Sequence, residues 1–353
     1  MDVNKLLRPH LHNFQPYRSA RDETKWQKDT VFLDANENAL GSPLNDNLNR
    51  YPDPLQRELK AIISADSGLK ADNIFLGNGS DEAIDLLIRA FCEPATDKIL
   101  IMPPTYGMYA VSAAVNNVPV CQVPLQSDFQ MNLAAIRKTI QTDSAVKLIF
   151  ICSPNNPTGN RLADNDIEML LKDFGGLVIL DEAYIDFADR PSWKTRLAEF
   201  PNLVILQTLS KARGLAGARL GMAFAQRDII DALNSIKPPY NVSALSQEAA
   251  LAAFRQKKRL GQMIATIKSE REKLSRFLQS LSFVEKVYPS EANFILVALP
   301  DAEAVQRHLL KQNIVVRNRS AIPHCPSCLR ITVGNPQENE RLMQALSELE
   351  PQK

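Results

Sequence analysis

The chain has 353 residues, of which 45% are hydrophobic, so it can bury a sizeable core and is long enough for two domains. Lysine and arginine number 41 against 40 for aspartate and glutamate, so the net charge is too small to attract nucleic acid or an anionic membrane. The first residues lack the apolar run of a signal peptide, and no run of about 18 apolar residues occurs, so we expect a cytoplasmic protein with small-molecule partners.

Short apolar segments alternate with amphipathic helical patterns through the first two thirds of the chain. The strand-like segments are NIFLG, KILIM, VKLIFIC, GLVIL and NLVILQ, which begin at residues 73, 98, 146, 176 and 202. Helical patterns follow the first three of them at residues 81–91, 106–115 and 164–174. This alternation predicts a mainly parallel sheet that is covered by helices.

The pattern changes near residue 240. Residues 243 to about 281 read as one long, polar helical stretch, and the strand-like segments NFILVAL, IVVRN and LRITVG come after it, with two short helices between and after them. The two prolines of KPPY at 237–240 stiffen the chain where a helix must stop, which favours a hinge there. We therefore predict an N-terminal arm of residues 1–30, a large domain of residues 31–240 and a smaller C-terminal domain of residues 241–353.

The five cysteines are scattered and odd in number, which is more typical of reduced thiols than of a disulfide framework. Cys325 and Cys328 are the one close pair. A zinc site would need two further ligands at matching spacing, and a redox pair should open a helix, whereas this pair runs into the strand-like LRITVG. We expect neither a metal site nor redox chemistry here.

Ligands of open α/β sheets bind beyond the carboxyl ends of the strands, so the loops that follow the apolar segments are the candidates for a site. The loop GNGSD at 77–81 leads into a helix and offers the backbone amides of Ser80 and Asp81 to an anion, although a tight turn with a helix cap would look the same. The loop SPNNPTG at 153–159 is made rigid by two prolines and a glycine, and it presents Asn156 in a set direction. Turn chemistry alone would also produce such a loop.

Two further loops carry ionisable side chains. Asp181 stands at the mouth of an apolar strand, with Tyr184 three residues later, and an isolated aspartate at this position is often only a helix cap. Lys211 lies in TLSKARGLAGARLG at 208–221, among small and apolar residues. Since lysines are almost never buried without a partner or a task, this context favours a reactive amine, although a single lysine can also extend its ammonium group to the surface.

Together the four loops indicate one chemistry. They supply an amine that can form a Schiff base, a carboxylate for a pyridinium nitrogen, a phenol and an amide for a phenolic oxygen, and a cradle for a phosphate. These are the parts of a pyridoxal phosphate site. The combination is much more specific than any one of its members, because each loop alone has an ordinary structural explanation.

The motifs SPNNPTG, DEAY, TLSKARGLAGARLG and LRITVG, together with PPTYGMY, LDANEN and RYPDP, resemble those of the fold-type I, class II aminotransferases from about residue 17 to residue 334. The resemblance implies an α/β fold, in which a mainly parallel seven-stranded sheet flanked by helices forms the large domain and a smaller α+β domain follows. It also implies bound pyridoxal 5'-phosphate and a homodimer. It is strongest to those family members that transfer the amino group of histidinol phosphate to 2-oxoglutarate, giving glutamate, in histidine biosynthesis.

The resemblance also implies roles for individual residues. Lys211 would form the Schiff base, Asp181 would contact the pyridine nitrogen, and Tyr106 would stack on the ring. The full set that would bind the cofactor is Tyr51, Ser80, Asp81, Tyr106, Asn156, Asp181, Tyr184, Thr208, Ser210, Lys211 and Arg219. The residues that would contact the substrate are Tyr17, Asn36, Arg317 and Arg330. Within these sets, Asn156 and Tyr184 would contact the ring oxygen, Tyr51 would come from the second subunit, and Arg330 would take the carboxylate of glutamate.

Three other functions stay open at this point. An aromatic amino acid aminotransferase would keep every cofactor residue and differ in the distal part of the pocket, and a threonine-phosphate decarboxylase would share a phosphorylated substrate but release carbon dioxide. A transcription regulator with a domain of this kind would need a basic DNA-binding module of domain size, and only an arm of about 30 residues precedes the predicted large domain. Arg213 stands where the family more often has phenylalanine, and it can alter the electrostatics of Lys211.

Overall fold

Seven strands form one sheet in the computed structural model, which describes residues 3–16, 30–44 and 48–350. The strands are β1 (Ile74–Asn78), β2 (Lys98–Ile101), β3 (Val120–Gln122), β4 (Val146–Cys152), β5 (Leu177–Asp181), β6 (Leu203–Thr208) and β7 (Leu220–Phe224). Their order across the sheet is β1-β7-β6-β5-β4-β2-β3. Only β7 runs antiparallel to its neighbours β1 and β6. The prediction of a mainly parallel, seven-stranded sheet is confirmed.

Helices cover both faces of this sheet. They are α1 (Arg57–Ser67), α2 (Gly79–Phe91), α3 (Met108–Val115), α4 (Leu133–Thr142), α5 (Asp164–Asp173), α6 (Arg227–Ile236) and α7 (Ala244–Phe254). Along β4, Phe150 belongs to one hydrophobic core, which includes residues of α2, α3 and α6, while Ile149 and Ile151 belong to another, which includes residues of α1, α4, α5 and α7. Because both faces are buried, the strands read as continuous apolar runs rather than as alternating ones.

A second sheet lies in the C-terminal third of the chain. Its strands β8 (Lys286–Val287), β9 (Phe294–Ala298), β10 (Arg317–Asn318) and β11 (Cys328–Thr332) are antiparallel in the order β10-β11-β9-β8. The helices α8 (Lys257–Ser280), α9 (Ala302–Lys311) and α10 (Pro336–Ser347) pack with it around a separate apolar cluster. No helix in the described part of the chain combines the length and the apolar composition needed to cross a bilayer.

The prediction of one helical stretch from residue 243 to about 281 is wrong. The chain instead forms α7 and α8, with Arg255 and Gln256 between them. Phe254 of α7 is buried in a core of the large sheet, whereas Leu274 and Leu278 of α8 are buried in the cluster of the small sheet. The two helices are separate because their apolar faces pack into different cores.

The expectation that all five cysteines are reduced is wrong for one pair, because Cys325 and Cys328 form a disulfide. Their Cα atoms are 5.9 Å apart, within the range that a disulfide can span. The chain turns back between them through Ser327, which has a positive φ of 57°. Cys92, Cys121 and Cys152 are free thiols.

Candidate active site

Six strands of the large sheet, all except β7, run in one direction and end at the same edge. The loops that follow five of them, β1, β2, β4, β5 and β6, line a cavity of about 710 Å³. Arg330 of β11 and the segment after β10 line the same cavity from the small sheet. The cavity therefore lies between the two sheets, where loop residues of both can meet one ligand.

Most of the predicted site residues line this cavity: Ser80, Asp81, Tyr106, Asn156, Asp181, Tyr184, Thr208, Ser210, Lys211, Arg219 and Arg330. They come from the first turn of α2, the last residues of β5 and β6, strand β11 and loops between these elements, which are far apart in the sequence. The cavity thus brings together an amine, two carboxylates, two phenols and two guanidinium groups, which no single segment could supply.

The other four predicted residues are not brought into this cavity. Asn36 and Tyr51 line a separate depression together with Tyr240, and the Tyr51 and Tyr240 rings stack with their centroids 4.5 Å apart. Arg317 is exposed on β10, opposite Arg330, and does not line the cavity. Tyr17 lies outside the described residues.

Asp181 is the most deeply buried carboxylate of the cavity, with 2% of its surface exposed. The Tyr109 hydroxyl donates a hydrogen bond to Oδ2 at 2.7 Å, and the Ala183 backbone N–H donates one to Oδ1 at 3.0 Å. Burial raises the pKa of the Asp181 carboxyl to about 6, although these two hydrogen bonds act in the opposite direction. Within the described part of the chain, no cationic side chain forms an ion pair with it. The site therefore holds a desolvated carboxylate that a ligand cation would stabilise.

Lys211 lies in the turn that follows β6, and its side chain is half-buried. Its Nζ lies 5.8 Å from the centroid of the Tyr184 ring. Burial lowers the pKa of the Lys211 amine, and the nearby Arg330 charge lowers it further, while the Asp181 carboxylate opposes both effects. A lowered pKa increases the fraction of neutral amine, which is the nucleophilic and basic form.

Arg213, the departure from the family pattern, does not line the cavity. Its guanidinium carbon lies 3.9 Å from the centroid of the Phe254 ring, and one of its nitrogens lies 3.5 Å from an Asp66 carboxylate oxygen. Arg213 is also not among the charges that shift the pKa of Lys211. It links the turn that carries Lys211 to α1 and α7.

One end of the cavity is suited to an anion. Helix α2 begins there at Gly79, which has a positive φ of 73°. The residues of its first turn line the cavity together with Thr208, Ser210 and Arg219, so backbone amides, two hydroxyls and a guanidinium are available to an anion. Strand β7 passes so close that a Cβ on Gly221 would collide with the Ser80 amide nitrogen, so only glycine fits there. The chain thus directs main-chain and side-chain donors at one place.

A chain of polar contacts crosses the middle of the cavity. The Arg330 Nη1 donates a hydrogen bond to Asn156 Oδ1 at 2.5 Å, and Asn156 Nδ2 donates one to the Tyr184 hydroxyl at 3.3 Å. Asn156 and Tyr184 are both buried. Burial raises the pKa of the Tyr184 hydroxyl, so the phenol keeps its proton and can donate it in a hydrogen bond at neutral pH.

Sequence reasoning missed two residues of the site. Tyr109, which contacts Asp181, is the second tyrosine of PPTYGMY, and Arg319, which lines the cavity, is the second arginine of IVVRNR. The motif PPTYGMY was a signal for Tyr109. The sequence held no signal for Arg319, because its position depends on how the small sheet meets the large one.

Comparison with known proteins places the chain among aminotransferases. The family model for aminotransferase class I and II matches residues 24–346. The histidinol-phosphate aminotransferase of Christiangramia forsetii is 49% identical over 350 residues, which cover 99% of this chain and 98% of that protein.

Two solved structures have the same fold. The histidinol-phosphate aminotransferase of Clostridium acetobutylicum has a TM-score of 0.79 at 27% identity, with 86% of this chain and 91% of that chain covered. The enzyme of the same name from Sinorhizobium meliloti, solved in complex with pyridoxal-5'-phosphate, has a TM-score of 0.78 at 25% identity, with 89% of each chain covered.

Proposed function

We propose that this chain, which belongs to the class I and II aminotransferases, transfers the amino group of L-histidinol phosphate to 2-oxoglutarate in L-histidine biosynthesis. The products would be imidazole acetol phosphate and L-glutamate. The observation that carries the proposal is the meeting of the Lys211 amine, the buried Asp181 carboxylate and the Arg330 guanidinium in one cavity. The relative that is 49% identical over nearly the whole chain supports this choice of substrate.

The cavity residues fit pyridoxal phosphate. The first amides of α2, the Thr208 and Ser210 hydroxyls and Arg219 suit its phosphate. Asp181, which has no ion pair among the described residues, suits its protonated pyridine nitrogen, and the Lys211 amine suits its aldehyde. When bound, the cofactor supplies a carbon that accepts the substrate amine and a ring that takes up electrons from the neighbouring C–H bond.

The residues around the ring have separate tasks. With the cofactor bound, the Asp181 carboxylate would keep a proton on the pyridine nitrogen, because a buried anion favours a cation beside it. Asn156 and Tyr184 would donate hydrogen bonds to the ring oxygen, and Tyr106 would contact the ring. Tyr109 holds the Asp181 carboxylate in place through its hydrogen bond.

Lys211 serves as the base. With cofactor and substrate bound, its Nζ would take the proton from the substrate carbon that bears the nitrogen. Burial lowers the pKa of Lys211, which increases the fraction of neutral amine, the form that acts as a base. Arg330 binds the carboxylate of glutamate in the second half-reaction, since a guanidinium fork matches two carboxylate oxygens.

A steady-state assay tests the substrate. The purified enzyme is given 2-oxoglutarate together with histidinol phosphate or with phenylalanine, and glutamate formation is measured. We expect histidinol phosphate to be preferred in kcat/KM by at least about 10-fold, because a phosphate adds charge-assisted hydrogen bonds. A preference for phenylalanine would favour an aromatic aminotransferase, and carbon dioxide released from threonine phosphate would favour the decarboxylase.

We also propose that the enzyme is a cytoplasmic homodimer in which Tyr51 completes the partner's cofactor site. Tyr51 is 49% exposed and does not line the cavity of its own chain. The same depression contains Asn36 and the exposed Leu245, and a second subunit would cover it.

The division into residues 1–30, 31–240 and 241–353 is likewise a proposal, supported by a large sheet within residues 74–224 and a small sheet within residues 286–332.

Mixing two inactive variants tests the dimer. Tyr51→Phe and Lys211→Ala homodimers should each be impaired, whereas a heterodimer of the two contains one site with neither defect. Random exchange should restore about a quarter of the parent activity, because half of the dimers are mixed and one of their two sites is intact.

The matched control mixes Lys211→Ala with Asp181→Asn. These two residues belong to the same cavity of one chain, so every site of the mixed dimer keeps one defect and no activity should return. Unimpaired activity of Tyr51→Phe, or restoration that is equal in both mixtures, would exclude the contribution of Tyr51 across the interface.

A further inference from the structure

Arg271 is a buried arginine near the middle of α8, with 7% of its surface exposed, and it does not line the cavity. Its Nη1 donates one hydrogen bond to the Ala292 carbonyl at 2.9 Å and another to the Phe187 carbonyl at 3.4 Å. Ala292 comes just before β9 of the small sheet, whereas Phe187 ends a short 3-10 helix that follows β5 of the large sheet. One guanidinium nitrogen therefore links segments that belong to different sheets.

This contact lies beside a small apolar cluster, which we call the joint cluster. Its buried members are Tyr184, Phe187, Ala212, Ala292 and Phe294. Apolar residues of α8 pack against it, namely Leu260, Ile264 and Ile267. Because Ala212 directly follows Lys211 in the chain, the joint cluster connects α8 and β9 to the segments that carry Tyr184 and Lys211.

Two short routes lead from Arg271 to side chains of the cavity. The Phe187 N–H donates a hydrogen bond to the Tyr184 carbonyl at 3.0 Å, so holding the Phe187 carbonyl also holds the turn that carries Tyr184. On the other route, the Phe294 ring meets the Tyr184 ring edge to face, with 5.1 Å between centroids, and its centroid lies 5.3 Å from the Arg330 guanidinium carbon. Tyr184 and Arg330 thus both depend on segments that Arg271 holds.

The Arg271 guanidinium is a strong donor at this position. Burial lowers its pKa, while the Asp189 and Glu291 carboxylates oppose that effect, and arginine stays protonated at physiological pH. Hydrogen bonds from a charged donor are stronger than those from a neutral one. The same region is also joined by the Glu291 N–H, which donates to the Gly159 carbonyl at 2.8 Å, and by the Lys268–Asp189 ion pair. Loss of Arg271 should therefore displace the joint cluster without separating the sheets.

We propose that Arg271 is a positioning residue, which sets the Tyr184 hydroxyl and the Arg330 guanidinium relative to each other by holding the two segments of the joint cluster together. The inference rests on the proposed function for the tasks of Tyr184 at the ring oxygen and of Arg330 at the substrate carboxylate. Since Arg271 does not line the cavity, it acts only through these two side chains.

A pH titration of the visible absorbance of the cofactor-loaded enzyme, without substrate, tests the route through Tyr184. A hydrogen bond to the ring oxygen favours the deprotonated form, so displacing the Tyr184 hydroxyl should raise the midpoint. We expect Arg271→Met to raise it by about 0.5 to 1 pH unit and Tyr184→Phe by more. The double variant should shift no further than Tyr184→Phe alone, because Arg271 acts through Tyr184. An unshifted midpoint in Arg271→Met, or additive shifts in the double variant, would overturn the inference.

Steady-state kinetics with glutamate test the route through Arg330. The KM for glutamate should rise about 5- to 10-fold in Arg271→Met, with kcat changed less than about threefold, because binding of the carboxylate is weakened and the amine and the ring contacts of Asp181 remain. Arg271→Lys, which keeps a charged donor for one carbonyl, should recover part of both effects. A fall in kcat at unchanged KM would contradict the role of Arg271 at Arg330.

The matched control is Arg276→Met, at an exposed arginine of the same helix, which should change neither the midpoint nor the KM. Should Arg271→Met fail to fold, Arg271→Gln takes its place in the titration, since its shorter amide cannot reach both carbonyls. If the parent does not transaminate glutamate, the proposed function fails, but the titration needs no substrate. A midpoint in the Arg271 variant equal to that of the parent would then still overturn the inference.

Discussion

Lys211→Ala is expected to lose transamination by at least about 10⁴-fold while it still binds pyridoxal phosphate non-covalently. A large loss is expected because, in the proposed mechanism, one amine would both attach the cofactor and move the proton. The other proposed phosphate contacts of the cavity, from α2, Thr208, Ser210 and Arg219, would be unchanged. The measurement is turnover together with retention of the cofactor after borohydride reduction and denaturation, which should be complete in the parent and absent in the variant.

The matched control is Lys258→Ala. Lys258 is an exposed lysine on α8, so its replacement should leave both turnover and covalent retention unchanged. Covalent cofactor in Lys211→Ala, or turnover within tenfold of the parent, would assign the reactive amine to another lysine.

Asp181→Asn is expected to reduce turnover by about 10³-fold, which corresponds to a barrier higher by ~4 kcal/mol. An amide has no negative charge with which to keep the pyridine nitrogen protonated, so the ring accepts electrons less well. Single-turnover rates with histidinol phosphate at saturating cofactor measure the effect. Asp228→Asn, at an exposed aspartate on α6, is the control. A rate near that of the parent would exclude the role of Asp181 at the ring nitrogen.

The same substitution should make the cofactor-free protein more stable. The pKa of Asp181 is about 6 in the folded chain against an ordinary value of 3.8 for an aspartate in water, so the folded state binds more protons between these values. Its contribution to the free energy of unfolding therefore falls as pH rises from about 4 to 6, by about 3 kcal/mol. Urea unfolding of the cofactor-free proteins at pH 8 should show Asp181→Asn to be the more stable, and this advantage should shrink near pH 4. An advantage that did not depend on pH would contradict the cost of burying this carboxylate.

The sequence was most informative for the site residues that lie at or just after the end of a strand. Asn156, Asp181 and Lys211 each follow an apolar run within a few residues, so a parallel sheet brings them to one edge whatever the details of its packing. Strand β7 was not predicted, because it begins inside the glycine-rich motif at Leu220 and only a short 3-10 helix, Ala216–Ala218, comes before it. The break between α7 and α8 was missed because neither glycine nor proline marks Arg255 and Gln256.

Contacts between distant segments were beyond sequence reasoning. The hydrogen bond from Tyr109 to Asp181 joins residues 72 positions apart, and no local pattern encodes it. Arg319 enters the cavity only because the small sheet meets the large one there, whereas Arg317, two residues earlier, remains exposed. Packing between the sheets decides which of two neighbouring arginines lines the cavity, and the sequence alone does not carry that information.

A single-turnover experiment tests most directly whether this chain transaminates histidinol phosphate with a cofactor bound to Lys211. Loaded enzyme is mixed with histidinol phosphate in the absence of 2-oxoglutarate, and the visible absorbance and the ketone product are followed. We expect the visible band to disappear with one imidazole acetol phosphate formed per site, and 2-oxoglutarate to restore the band with one glutamate per site. A band that persists with histidinol phosphate, or disappears without the ketone product, would contradict the assignment.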